Sequence, residues 1–174
     1  MALYRNGSFV TDDPWRILGA DEPVPPAGPV ALPKARFLAE REALVGRNAP
    51  LGVVIEAGEG LDGLEDDIHR LSLIVLTFPK YTDGRSYSTA RILRERFSYR
   101  GELRATGNVL RDQLRFMVRC GFDALEIVHE GTIAALKEGR IKLVSLHYQP
   151  ASRDEDIPPI AGGRPWRRSS AGLL

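Results

Sequence analysis

Nine arginines crowd the stretch from Asp83 to Cys120: Arg85, Arg91, Arg94, Arg96, Arg100, Arg104, Arg111, Arg115 and Arg119, with four acids, Asp83 included, and no lysine. A guanidinium is a planar fork of donors that matches two oxygens of a carboxylate, phosphate or sulfur oxyanion, which a compact ammonium does not. Arg111, Arg115 and Arg119 recur at i, i+4 and i+8, so on a helix three like charges stack along one face. That costs the helix a little unless the face meets solvent, an anion or an acidic partner. The chain as a whole prefers arginine, twenty against four lysines, so the clustering and not the count carries the signal. Asp83-Gly84-Arg85 reads as a turn and helix start, with Arg85 the better candidate for contact with a ligand or partner. His129-Glu130 is a candidate acid/base pair. Cys120 is a candidate redox residue, although a helix C-terminus has the wrong dipole sign for a thiolate and an isolated cysteine is most often a small buried apolar group.

Composition narrows the classes. At 174 residues, 43% hydrophobic and 27% charged, the chain suffices for one globular domain with its own core. A net charge of +1 excludes a polycation built for nucleic acid or an anionic membrane. No apolar run reaches the ~18 residues of a spanning helix, and the start lacks the basic-then-apolar order of a secretory signal, so a cytoplasmic protein is expected. With one cysteine and three scattered histidines there is no internal disulfide and no zinc-type spacing. Neither metal nor cofactor is expected, since a dinucleotide fingerprint and a CxxC are also missing.

The elements that must position these residues follow from local pattern. Asn6-Gly7 between short alternating runs predicts a small type I′ hairpin at the N-terminus. Five prolines between Gly19 and Pro33 predict an extended connector, which leads into a helix from about Pro33, "PKARFLAEREALVG", closed by Gly46. From Leu51 on, "LGVVIEA", "LSLIVLTF", "GELRAT", "FDALEIV" and "IKLVSLHY" are β-favouring runs separated by amphipathic stretches over 60–70, 86–97, 108–120 and 132–138. Leu71 to Phe78 is almost wholly apolar and is expected to be central, buried on both faces. Gly121 stands where a left-handed helix end is wanted. The acidic "EGLDGLEDDIHR" is expected to be a solvated face.

These elements make an α/β fold of about five mostly parallel strands alternating with helices, as an open sheet or half-barrel. Its expected divisions are a hairpin over 1–20, a connector over 21–33, a β/α core over 34–150 and a flexible tail over 151–174, where Arg164, Arg167 and Arg168 flank Trp166. In such sheets ligands lie at the carboxyl ends of the strands. The loops there hold Glu56, Lys80, Asp83, Arg85, Thr106, Asn108, His129 and Glu130.

The block from Phe78 to Asp123, "FPKYTDGRSYSTARILRERFSYRGELRATGNVLRDQLRFMVRCGFD", with the Pro-rich entry into "VALPKARFLA" and "YQP" near the end, resembles a bacterial family of unknown function. That family is generically labelled a probable oxidoreductase or accessory protein of sulfite reduction and is found with genes of assimilatory sulfate reduction and cysteine biosynthesis. The resemblance runs through Asp83, Gly84, Arg85, Arg91, Arg94, Arg104, Arg111, Cys120, Gly121 and Asp123, and it brings no catalytic role for any of them. It implies an accessory factor that contacts a sulfite reductase or its electron donor. On the residues, that contact falls to an arginine face comprising Asp83, Arg85, Arg91, Arg94, Arg104, Thr106, Arg111, Arg115 and Arg119. The alternative is a small enzyme or binding protein for a sulfur or phosphate oxyanion at the strand ends. Nucleic acid and membrane are not expected partners; a third reading is a dimerising structural domain, in which the arginines pair with acids across a two-fold axis.

Overall fold

The structure is a computed structural model that describes residues 1–80 and 82–141. The expected strand over 141–148 past its first residue, His147 and the expected tail with its arginines lie outside the described residues. An eight-stranded mixed sheet organises the rest, in the order β2-β1-β8-β7-β6-β5-β4-β3. The strands are β1 (Ala2–Arg5), β2 (Ser8–Val10), β3 (Arg16–Ile17), β4 (Val30–Pro33), β5 (Leu51–Ile55), β6 (Leu73–Phe78), β7 (Glu102–Gly107) and β8 (Ala124–Ile127). The helices are α1 (Lys34–Ala39), α2 (Arg41–Leu44), α3 (Arg85–Glu95), α4 (Leu114–Arg119) and α5 (Glu130–Lys137).

From β3 to β8 each strand lies parallel to the next in sequence. Connections between neighbouring parallel strands share one hand, so a sequential order sends every crossover to the same face. The sheet therefore curls into an open half-barrel with helices on one side, in place of the two helical layers of a doubly wound fold. The expected count of about five strands becomes eight among the described residues. The sheet is mixed because the N-terminal hairpin does not stand apart: β1 runs antiparallel to β8, with Leu3 opposite Glu126. Its turn is the expected one, with Asn6 and Gly7 both at positive φ, 48° and 90°.

Alternation along the strands divides their side chains. Ile74, Leu76 and Phe78 of β6 face the helices with Val53, Ile55, Leu103, Leu125 and Ile127, and they meet Leu93, Leu114 and Met117 there. Leu73 and Val75 face the other way, onto Ala31, Val54 and Trp15. β6 is thus central and buried on both faces, as its apolar run predicts. Each such side chain, fully buried, contributes about 1.5–3 kcal/mol.

Other local expectations shift. The connector contains β4, whose proline at its last residue leaves the preceding three free to pair with β5. The helix from Pro33 breaks at Glu40 into α1 and α2. Residues 60–70 form turns and a single 3-10 turn, Ile68–Arg70, in place of a helix; left-handed glycines at 60 and 63 interrupt the α-helical path. Within this stretch Asp67 is buried, 3% exposed, and held by Arg41 and Arg70, so the acidic run is not simply a solvated face. The helix expected over 108–120 is shortened to α4, with turns at 111–113. Gly121 ends it at φ +99°, as expected.

Candidate functional site

The face of the sheet without helices carries a ladder of polar side chains near the strand C-termini. Thr77 of β6 and Thr106 of β7 are register partners. The Thr77 hydroxyl donates to Glu56 Oε2 at 2.5 Å, and the Thr106 hydroxyl donates to Glu126 Oε2 at 2.5 Å. One register step below, Arg104 is 1% exposed and surrounded by acids. Its Nη1 donates to Asp13 Oδ2 at 2.6 Å and to Glu126 Oε1 at 3.3 Å; its Nε and Nη2 donate to Glu102 Oε1 at 2.9 and 2.7 Å. Arg5 donates to the other oxygen of Glu102 at 3.0 Å. Burial would push the Arg104 pKa down, but hydrogen bonds to Asp13 and Glu102 outweigh it and raise the pKa above its ordinary value.

At the strand mouths, Asp83 accepts a two-point ion pair from Arg85, from Nε at 2.9 Å and Nη2 at 2.6 Å, as well as the Arg85 backbone N–H. These bonds lower the Asp83 carboxyl to about 2. The Arg85 guanidinium also lies against Gly58 in the loop after β5, where an added Cβ would fall 2.2 Å from Nη1. Ser86 ties the start of α3 back to the carbonyl of Thr77 at 2.7 Å. His129 caps α5, its Nδ1 accepting from the Thr132 N–H at 3.3 Å, and Glu130 is the exposed first residue of that helix. His129 thus works as a cap, with its Nδ1 occupied; no hydrogen bond joins it to Glu130 among the described residues. At the strand mouths, then, the Arg85 guanidinium is already held at two points by Asp83, a poor setting for a free oxyanion.

The expectation that the arginines share one surface is corrected for two of them. Arg104 points to the opposite side of the sheet from the helices, because it alternates with Leu103 and Ala105 along β7. Arg94 is buried at 7% exposure under α3. It donates to the carbonyls of Gly121, Tyr99 and Gly101 and to Asp123 Oδ2 at 2.5 Å. Both are internal ties. Thr106 belongs to the sheet-face ladder, away from the helices.

What remains on the helical side is a compact patch where α3 and α4 meet. Tyr87 and Phe116 pack with ring centroids 4.7 Å apart and planes tilted by 59°, and Phe116 is 48% exposed. One turn on from each ring are Arg91 and Arg119, close enough for both charges to act on Cys120 between them. Arg91 pairs with Glu95 along its own helix at 2.9 Å. Cys120 itself is 2% exposed, and burial pushes its thiol up, which opposes the redox role considered from sequence. Past the other flank of α4, Arg111, Asp112, Arg115, Arg140 and Ile141 line a groove of about 510 Å³.

Sequence reasoning gave no site role to Asp13, Glu102 or Glu126. The signal was present in "GELRAT", whose Glu102, Arg104 and Thr106 alternate with apolar residues and so share one strand face. Among the described residues no group of three or more histidines, cysteines or carboxylates is disposed to hold a metal ion, and no helix is long and apolar enough to cross a membrane.

No curated protein and no solved structure matches the chain. A family profile described as "Bacterial protein of unknown function (DUF934)" matches residues 52–158, which run from the second residue of β5 past α5 and include the α3–α4 patch. Matched over more than half its length, the chain belongs to this bacterial family of unknown function, DUF934.

Proposed function

We propose that this protein is an accessory factor of assimilatory sulfite reduction that docks through the α3–α4 patch on an acidic surface of the reductase or of its electron donor. The observation that carries the docking role is Phe116: a large aromatic ring left half in water and packed against Tyr87, with Arg91 and Arg119 one helical turn on from the two rings. Exposed aromatics ringed by arginine have the composition of interface anchors, and the positive rim selects a negatively charged partner. The link to sulfite reduction comes from the resemblance through Asp83–Arg85 and Arg91–Asp123, the segment that builds this patch. A role without its own redox centre agrees with a single cysteine that is buried and whose thiol is hard to ionise.

An oxyanion site at the strand ends fits less well. Arg85, the cation at the strand mouths, is already paired with Asp83 through two bonds.

The test is a binding titration of purified sulfite reductase, and separately its electron donor, against the full chain at low and high salt. Wild type should bind, and more weakly as salt rises. Phe116→Ser combined with Arg119→Glu should lose at least about tenfold in affinity, the effect of removing one anchor and reversing one rim charge. No measurable binding to either protein, or binding indifferent to both substitutions, would reject the reading.

A further inference from the structure

We infer that residues 11–15 are a latch across the hollow side of the half-barrel, which opens as a unit while the β/α core stays folded. The latch lies on the opposite side of the sheet from the α3–α4 patch and does not depend on the docking role. The chain leaves the sheet at Val10 of β2, one edge, and rejoins it at Arg16 of β3, the other edge. Seven inter-strand spacings separate these edges, about 33 Å along the sheet, whereas the six residue steps from Val10 to Arg16 reach at most about 22 Å. Both lengths hold only if the sheet bends through about half a turn or more, with the strap crossing its concave side as a chord. Trp15 identifies that side as the face without helices, since it packs on Ala31, Leu73 and Val75.

The strap is held lightly. Residues 11–14 are exposed, and among the described residues no backbone hydrogen bond joins 11–15 to the sheet. The Trp15 N–H donates within the strap, to Asp13 Oδ1 at 3.4 Å, and Pro14 has no N–H to give. Two side chains hold the segment down: Asp13, which accepts from Arg104 at 2.6 and 3.1 Å, and the half-buried Trp15. Solvated backbone and few buried contacts set a low free energy of local opening. Lifting the strap also leaves no charge uncompensated. Arg104 keeps Glu102 and Glu126, and Arg5 keeps Glu102, so the two arginines and two glutamates left on the sheet balance without Asp13. A buried cation with a single partner would not tolerate that loss. Opening uncovers Arg104 beside Leu73 and Val75, so the strap controls access to the hollow of the half-barrel.

The experiment is chymotrypsin cleavage of the full chain under native conditions, with products assigned by mass and rates taken relative to a short peptide substrate. Cutting after Trp15 requires its ring in the protease, hence off the sheet. Cleavage there should precede cleavage after Phe78 and Phe122 of the core. It should rise less than about twofold per molar urea, because little surface is exposed, while the core sites rise about tenfold per molar with global unfolding. Asp13→Asn keeps the shape and removes the charge, and it should speed cleavage after Trp15 about fivefold, the worth of one partly exposed ion pair. Cleavage after Trp15 with the urea dependence of Phe78 and Phe122, or at a rate unmoved by Asp13→Asn, would make the strap a fixed part of the core and overturn the inference.

Discussion

Arg94 and Asp123 meet at 2.5 Å beneath α3, with side chains 3% and 11% exposed. Asp123 also accepts the Leu103 backbone N–H at 2.9 Å, so one ion pair joins α3 to the starts of β7 and β8. The arginine completes the tie through the carbonyls of Tyr99, Gly101 and Gly121, with Cγ packed where a Cβ on Gly121 would sit 2.6 Å away. An ammonium cannot reach four acceptors spread in this way. Arg94→Ala should therefore destabilise by about 3–5 kcal/mol, the cost of leaving a buried partner uncompensated, and Arg94→Lys should recover little of it. Urea unfolding followed by circular dichroism measures both, and a loss below about 1 kcal/mol for the alanine variant would contradict the assignment of Arg94 as a structural tie.

Arg104 tests the other face of the sheet in the same way. Its partners come from three places: Glu102 on its own strand, Glu126 on β8 and Asp13 from the segment before β3. Arg104→Ala leaves three carboxylates together without their shared cation and should cost about 3–5 kcal/mol. Asp13→Ala removes only the partly exposed partner, so its loss should be near 1 kcal/mol. It should also loosen the segment holding Trp15 against Leu73 and Val75, read as a red-shifted tryptophan emission in a Trp166→Phe background.

The contrast between these two arginines and those of the α3–α4 patch shows what the sequence made legible. The strands β5 to β8, the I′ turn at Asn6-Gly7, the central burial of β6 and the left-handed end at Gly121 all followed from local rules, because each depends on residues close in sequence. The side of the sheet on which an arginine lies does not. Arg91 and Arg94 are one helical turn apart, yet one is exposed beside Glu95 and the other is enclosed by Asp123, whose approach depends on how β8 returns to β7. Likewise Val30–Pro33 reads as a proline-rich connector until Leu51–Val54 lies alongside it. Tertiary pairing supplies what five nearby prolines conceal. The groove beside α4 was beyond reach for the same reason, since Arg140 joins Arg111 only once α5 has crossed over.

Protonation of Asp83 offers a check on the strand mouth. The Arg85 hydrogen bonds hold its carboxyl at about 2, below its ordinary value. A depressed folded-state pKa means that the folded chain favours the charged form. Its contribution to stability is then complete above the unfolded value near 4 and is lost as pH falls from there through about 2. Carbon-detected NMR should find Asp83 titrating at about 2 in wild type and moving up towards 3.8 in Arg85→Ala. The difference in melting temperature between the two proteins should shrink across the same interval. An Asp83 titration unaltered by loss of Arg85 would show that the pair does not persist in solution.

Cys120 separates an accessory role from a redox one. The thiol is buried in the core cluster that also holds Met117 and Phe122, and burial raises its pKa although Arg91 and Arg119 both pull it down. Thiolate, not thiol, attacks an alkylating reagent, and reagent must also reach it. Iodoacetamide at pH 8 should therefore modify the native protein about 100-fold more slowly than the urea-unfolded chain, the residual rate reporting local opening. Raising the pH should speed both reactions but leave the native one behind. Cys120→Ala should cost about 1 kcal/mol of packing and leave reductase binding intact, because no atom of the exposed patch is lost. Cys120→Ser should cost more, since its hydroxyl enters an apolar cluster. Native alkylation within about threefold of the unfolded rate would mean that the thiol is reachable and ionised, and a thiol-dependent activity would then replace docking alone as the reading of the α3–α4 face.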